Sequence, residues 1–133
     1  MGMTPRFAAL RAVPELAHCS NSEISSLVTS VDEIRLPAGA AVARAGRYCT
    51  ELLVVIEGTL RTTALRIGPG ESLGWAAMWD RSINQATVIA ESDVRLLVIG
   101  HAQFRAFKAA AYPPLLRLGQ DRLADQQVRG VAL

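Results

Sequence analysis

Between Ser20 and Val31 the apolar residues Ile24, Leu27, Val28 and Val31 recur at intervals of three and four, the spacing that lines one face of a helix. Ser20 or Asn21 stands where that helix needs an N-cap. The preceding stretch PRFAALRAV repeats the pattern more weakly, with Phe7, Leu10 and Arg11 on one side. After Asp32 the period changes. Short apolar or β-branched runs, EIRLPAG, AVARAG, ELLVVIEG, TLRTTALRIGPG, QATVIA and VRLLVIG, now alternate with glycine-containing turns. Several short strands at close intervals, with no long helix between them, predict an antiparallel sandwich or barrel and exclude a doubly wound parallel sheet. Beyond Gly100 helical spacing returns. HAQFRAFKAA carries Phe104 and Phe107 on one face, and PPLLRLGQDRLADQQVRG opens on prolines suited to a first helical turn before running through Leu115, Leu116, Leu118, Leu123 and Val128. The expected architecture is mainly β with flanking helices: one domain over 1–133, with helices over about 4–31, an antiparallel β-roll or jelly roll over about 33–99, and helices over about 101–128.

Length and composition narrow this picture without altering it. A chain of 133 residues, half hydrophobic and one-fifth charged, supports one globular domain with its own core. The longest apolar runs, Leu52 to Ile56 and Leu96 to Ile99, fall far short of the ~20 residues a membrane-spanning helix needs. Pro14 and Glu15 interrupt the N-terminal stretch before a secretory hydrophobic region forms, and Arg6 occupies the position where a myristoylation signal requires Ser or Thr. A cytoplasmic chain is expected. The net charge is +2, and the arginines are dispersed from Arg6 to Arg129 without a basic stripe, so the sequence gives no sign of non-specific nucleic-acid binding. Cys19 and Cys49 lack CxxC spacing and read as reduced, partly buried thiols, with a disulfide or redox pair as the alternative.

Several chemistries are missing. A metal-dependent β-roll enzyme needs a cluster of inward His and Glu ligands, whereas the two histidines are His18, in the N-terminal helical part, and His101, just after the last strand. There is no GxSxG motif, and His101 reads as a helix N-terminal residue beside Gly100. The acidic pairs Asp32–Glu33 and Glu91–Asp93 read as solvated carboxylates at turns. No catalytic residue, metal site or cofactor is assigned, and an enzyme is not expected.

The remaining feature is PGESLGWAAMWDRSINQATVIA, residues 69–90. RIGPGES reads as a tight turn, WAAMW as about one helical turn, DRSIN as a loop and QATVIA as a strand. A helical turn that begins at a glycine presents free backbone N–H groups and the positive end of its dipole, which suits a phosphate, and the small Ala76 and Ala77 allow close approach. Trp75 and Trp79, four apart, share a side if the turn is helical. They either close the roll as core or fill the pocket and present an aromatic surface to a partner.

Taken in order, LPAGAAVARAGRYCTELLVVIEGTL, IGPGESLGWAAM and NQATVIAESDVRLLVI resemble the motifs of the cyclic nucleotide-binding domain, the module of the catabolite activator protein and of protein kinase A regulatory subunits. The resemblance covers about residues 7–128. It implies cyclic AMP or a related nucleotide as ligand, with candidate contacts at Gly74, Trp75, Ala76, Ala77, Arg81, Asn84, Gln85, Ala86 and Thr87. In the family a glutamate after the glycine accepts a bond from the ribose 2′-hydroxyl, and an arginine before the A-T-V strand pairs with the cyclic phosphate. Here those positions hold Trp75 and Asn84. Losing one side of such a pair typically costs ~2–5 kcal/mol, a factor of roughly 30 to several thousand in affinity. Arg81 either restores the charge or is a loop cation paired with Asp80, and Ser82 and Gln85 offer neutral hydrogen bonds. The resemblance therefore implies a stand-alone regulatory module with weakened affinity, or a degenerate relative serving as an interaction or scaffold domain. No DNA-binding or other effector domain is recognisable. Output is expected through an unidentified effector protein or through a homodimer built on the C-terminal segment LLRLGQDRLADQQV.

Overall fold

The computed structural model describes residues 4–75, 78 and 82–111, with residues 107–111 as backbone only. Helix α1 (Pro5–Ala12) begins where the sequence provides a cap: the Thr4 hydroxyl accepts from the Phe7 N–H at 3.2 Å, and Pro5 fills the first turn. A short 3₁₀ turn (Pro14–Leu16) leads to α2 (Asn21–Ser30). Ser20 is the N-cap of α2 and forms a reciprocal capping box with Glu23, at 3.1 and 2.7 Å.

The β-roll follows: β1 (Asp32–Leu36), β2 (Ala41–Ala43), β3 (Tyr48–Cys49), β4 (Glu51–Glu57), β5 (Leu60–Arg61), β6 (Arg66–Ile67), β7 (Ser72–Leu73), β8 (Ser82–Ile83), β9 (Val88–Ala90) and β10 (Val94–Gly100). Every pairing among them is antiparallel. One sheet has the order β1-β10-β4-β7, a second β2-β9-β5-β6, and β3 pairs with β8 alone. The segment TLRTTALRIGPG is thus a hairpin of two short strands, β5 and β6, with Leu60 opposite Ile67. Helix α3 (His101–Ala111) closes the described chain.

The uninterrupted apolar runs of β4 and β10 follow from the layering. A strand presents alternate residues to opposite faces, so a strand covered on both faces loses its polar positions. Leu52 and Val54 of β4, with Leu97 and Ile99 of β10, pack under the helices against Leu10, Val13, Ile24 and Leu27. Leu53 and Val55, with Leu96 and Val98, face the roll interior against Leu60, Leu73, Val88 and Ala90. Gly58 ends β4 at φ +89°, and a Cβ there would lie 2.3 Å from the Asp93 carbonyl, so only glycine makes this turn.

Glu33 departs from the sequence expectation. It lies inside β1, not at a turn, and its side chain is only 15% exposed. Its carboxylate accepts from Arg95 Nε at 2.8 Å and from Arg6 Nε at 3.2 Å, so β1, β10 and α1 meet on one charge. Arg6 also donates to the Val28 and Val31 carbonyls near the end of α2. The register explains the placement: Glu33 lies opposite Leu97 in the β1–β10 ladder, with Arg95 two residues from Leu97 on the same face of β10, and a carboxylate on this largely apolar side requires cationic partners. Glu91 likewise is paired, with Arg61 and Arg66, and Asp93 accepts from the Ala38 N–H.

Candidate functional site

The 74–87 region hangs between β7 and β9. Leu73 pairs with Leu53 on β4, and the chain then passes so close to the start of β4 that a Cβ on Gly74 would lie 2.3 Å from the Glu51 carbonyl. Gly74 has φ +102°, a conformation that suits glycine alone, so this residue serves both the backbone geometry and the close approach. Trp75 and Met78, which follow, are helical and buried. Ala76, Ala77 and Arg81 lie outside the described residues, as does Trp79.

The Trp75 side chain takes the core alternative. It is fully buried beneath the helices, its ring centroid 5.6 Å from that of Phe104 in a T-shaped contact, and its Nε1 donates to Ser72 Oγ at 2.8 Å. The aromatic contact with α3 draws the indole to the helix side of the β4–β10 sheet.

Asn84 is buried, and its polar groups are mostly committed. Its Nδ2 donates to the Arg44 carbonyl at 3.1 Å and its backbone N–H to the Arg47 carbonyl at 2.8 Å, while its own carbonyl accepts from the Gly46 N–H at 2.8 Å. Thr87 joins the same fastening, its Oγ1 accepting from the Ala45 N–H at 3.1 Å. The 44–47 turn is thus pinned to the strand side of the cassette by Asn84 and Thr87, and the β3–β8 ladder extends the contact, with Tyr48 opposite Ile83. Asn84 Oδ1 has no hydrogen-bond partner among the described residues. Gln85 is exposed and Ala86 half-buried.

Asn84 also lines a cavity of about 80 Å³ together with Val42, Cys49, Glu51, Leu53 and Leu73. Among the described residues of that lining the charged one, Glu51, is acidic. The half-buried Cys49 thiol is 3.7 Å from the Glu51 carbonyl, and burial pushes its pKa up. The structure therefore brings Asn84 and Thr87 together with the 44–47 turn, while Gly74 packs against the start of β4. Sequence reasoning overlooked that turn. The trace it left was ARAGR, a glycine with an arginine on each side just before a strand.

The comparisons agree with this architecture. The family model of the cyclic nucleotide-binding domain matches residues 33–110. A curated relative from Rhodopseudomonas palustris named "Putative potassium channel protein" is 29% identical over 105 residues, which cover 73% of this chain and 26% of the relative. The chain thus corresponds to about a quarter of that protein's length. Among solved structures, the N-terminal domain of a transcriptional regulator from Streptomyces coelicolor A3(2) superposes with a TM-score of 0.76 at 26% identity, covering 89% of this chain and 94% of the other. A cyclic nucleotide-binding-like protein from Brucella abortus bv. 1 str. 9-941 shares the fold with a TM-score of 0.69 at 18% identity, covering 78% and 97%. No helix among the described residues is long and apolar enough to cross a membrane.

Proposed function

Because the chain belongs to the cyclic nucleotide-binding domain family, we propose that it is a regulatory module holding cyclic AMP or a related cyclic nucleotide at the 74–87 cassette, with affinity weakened to the millimolar range. One observation carries this reading. Asn84 stands at the phosphate-pairing position without a charge, and its amide group is bonded to the Arg44 carbonyl. The cassette's conformation argues for retained binding, since Gly74 keeps the positive φ and the tight approach to β4 with which the phosphate turn begins. Backbone N–H groups that follow Gly74 supply the remaining attraction for an anion. With the charge pair gone, affinity falls by the factor of roughly 30 to several thousand that such a loss carries.

Similar domains occur in a protein named for a potassium channel and at the N-terminus of a transcriptional regulator. By that likeness this chain is read as the sensing part of a signalling system, delivering its output to an effector protein. The route runs through Trp75, one residue from the cassette glycine, to Phe104 of α3.

Calorimetric titration with cyclic AMP and cyclic GMP tests the reading. The unaltered protein is expected to saturate only above about 1 mM, and Asn84→Arg to bind at least about thirtyfold tighter. Micromolar binding by the unaltered protein overturns the proposal whether or not the variant folds. A second reading, an interaction module that binds no nucleotide, is favoured by the cavity of about 80 Å³, small against the roughly 300–1,000 Å³ of ordinary ligand sites. Absence of heat at about 5 mM of either nucleotide selects it.

A further inference from the structure

The 44–47 turn carries two guanidinium groups with neither an ion pair nor a hydrogen bond among the described residues. Arg6, Arg35 and Arg95 meet Glu33, Arg61 and Arg66 meet Glu91, Arg11 bonds Asn21, and Arg105 bonds the His101 ring. Arg44 and Arg47 are the described arginines whose side chains have neither a hydrogen bond nor an ion pair among the described residues. Both are exposed, and both are attached through their carbonyls to Asn84.

We infer that the Arg44–Arg47 turn is an anion-recognition element that takes a phosphate-bearing small molecule, supplying from the neighbouring loop the positive charge that position 84 lacks. This rests on reading the 74–87 region as a weakened phosphate cassette. Two features fix the backbone that carries both side chains. Gly46, at φ +84°, fixes a tight turn that places the arginines on either side of it. Four hydrogen bonds from Asn84 and Thr87 then hold residues 44–47 to the cassette strand. A guanidinium presents a planar fork of donors that matches phosphate oxygens, and two forks three residues apart can engage different oxygens of one phosphate. Asn84 accordingly has a positioning role: its amide and backbone hold the loop that carries the charge, so an arginine at position 84 is not the only way to neutralise a phosphate here.

The test uses the full chain, labelled with ¹⁵N, titrated with inorganic pyrophosphate and separately with cyclic AMP while the amide signals of Ala45 and Gly46 are followed. Saturable pyrophosphate shifts are expected in the unaltered protein, with affinity reduced at least about fivefold in the Arg44→Gln/Arg47→Gln double variant. The Arg61→Gln/Arg66→Gln double variant, which removes the same net charge elsewhere, is expected to leave the affinity unchanged. No saturable shift, or an equal loss in the two double variants, overturns the inference. The two readings fail separately. Pyrophosphate binding without cyclic AMP binding leaves the anion element standing and removes the nucleotide reading, whereas cyclic AMP binding untouched by Arg44→Gln/Arg47→Gln does the reverse.

Discussion

Trp75 and Phe104 meet edge to face, with ring centroids 5.6 Å apart and planes at 84°, and so join the start of the cassette to the first turns of α3. Both rings are buried, and the indole N–H is satisfied by Ser72. Trp75→Ala is expected to lower stability by about 3–5 kcal/mol. Ser72→Ala, which leaves a buried N–H unpartnered, is expected to lower it by about 1–3 kcal/mol. Urea unfolding followed by circular dichroism measures both.

Glu33 makes stability depend on acid. The hydrogen bond from Arg95, followed by that from Arg6, holds its carboxyl below the ordinary value of 4.5. A group whose pKa is lowered on folding stabilises the native state above its unfolded pKa and loses that contribution as pH falls through the folded one. The loss is therefore expected to begin near pH 4.5 and to continue below it. Glu33→Gln should reduce stability at pH 7 by about 1–2 kcal/mol and flatten the acid limb of a plot of Tm against pH. An unchanged acid limb would show that other carboxylates govern it.

Gly74→Ala isolates the demand of the cassette backbone. The added methyl would lie 2.3 Å from the Glu51 carbonyl, at a φ that side-chain-bearing residues rarely adopt. Strain and overpacking together are expected to cost roughly 2–4 kcal/mol. Thermal unfolding gives the cost. Gly39→Ala, at another positive φ but with open space around it, is the control for conformation alone.

The two thiols should be sluggish nucleophiles. Burial is the main cause that raises both the Cys19 and the Cys49 pKa above the ordinary 9.0, so little thiolate is present at pH 8. Alkylation by iodoacetamide at pH 8 is expected to be slower than that of free cysteine and to accelerate as pH rises past 9.0, with the half-buried Cys49 reacting before the buried Cys19. Fast labelling of either at neutral pH would contradict this placement.

Where the pattern of residues determines structure locally, the sequence was sufficient. The Ser20–Glu23 capping box, the helical spacing through Ile24 and Leu27, and the strands around Leu53 and Leu97 follow from interactions within a few residues or from a strict period of burial. The order of the motifs was enough to indicate the family. Tertiary structure alone decided the rest, because those outcomes depend on contacts between distant residues. Trp75 could belong to either face of a helical turn until Phe104 fixed it under α3. Glu33 looked like a turn carboxylate until Arg6 and Arg95, 27 and 62 residues away, closed on it. Asn84 looked like a deletion of charge, and its role as a fastening for the 44–47 turn emerged only from hydrogen bonds spanning about 40 residues. Sequence periodicity reports which face a residue occupies, whereas the partner it meets there is set by how the chain returns.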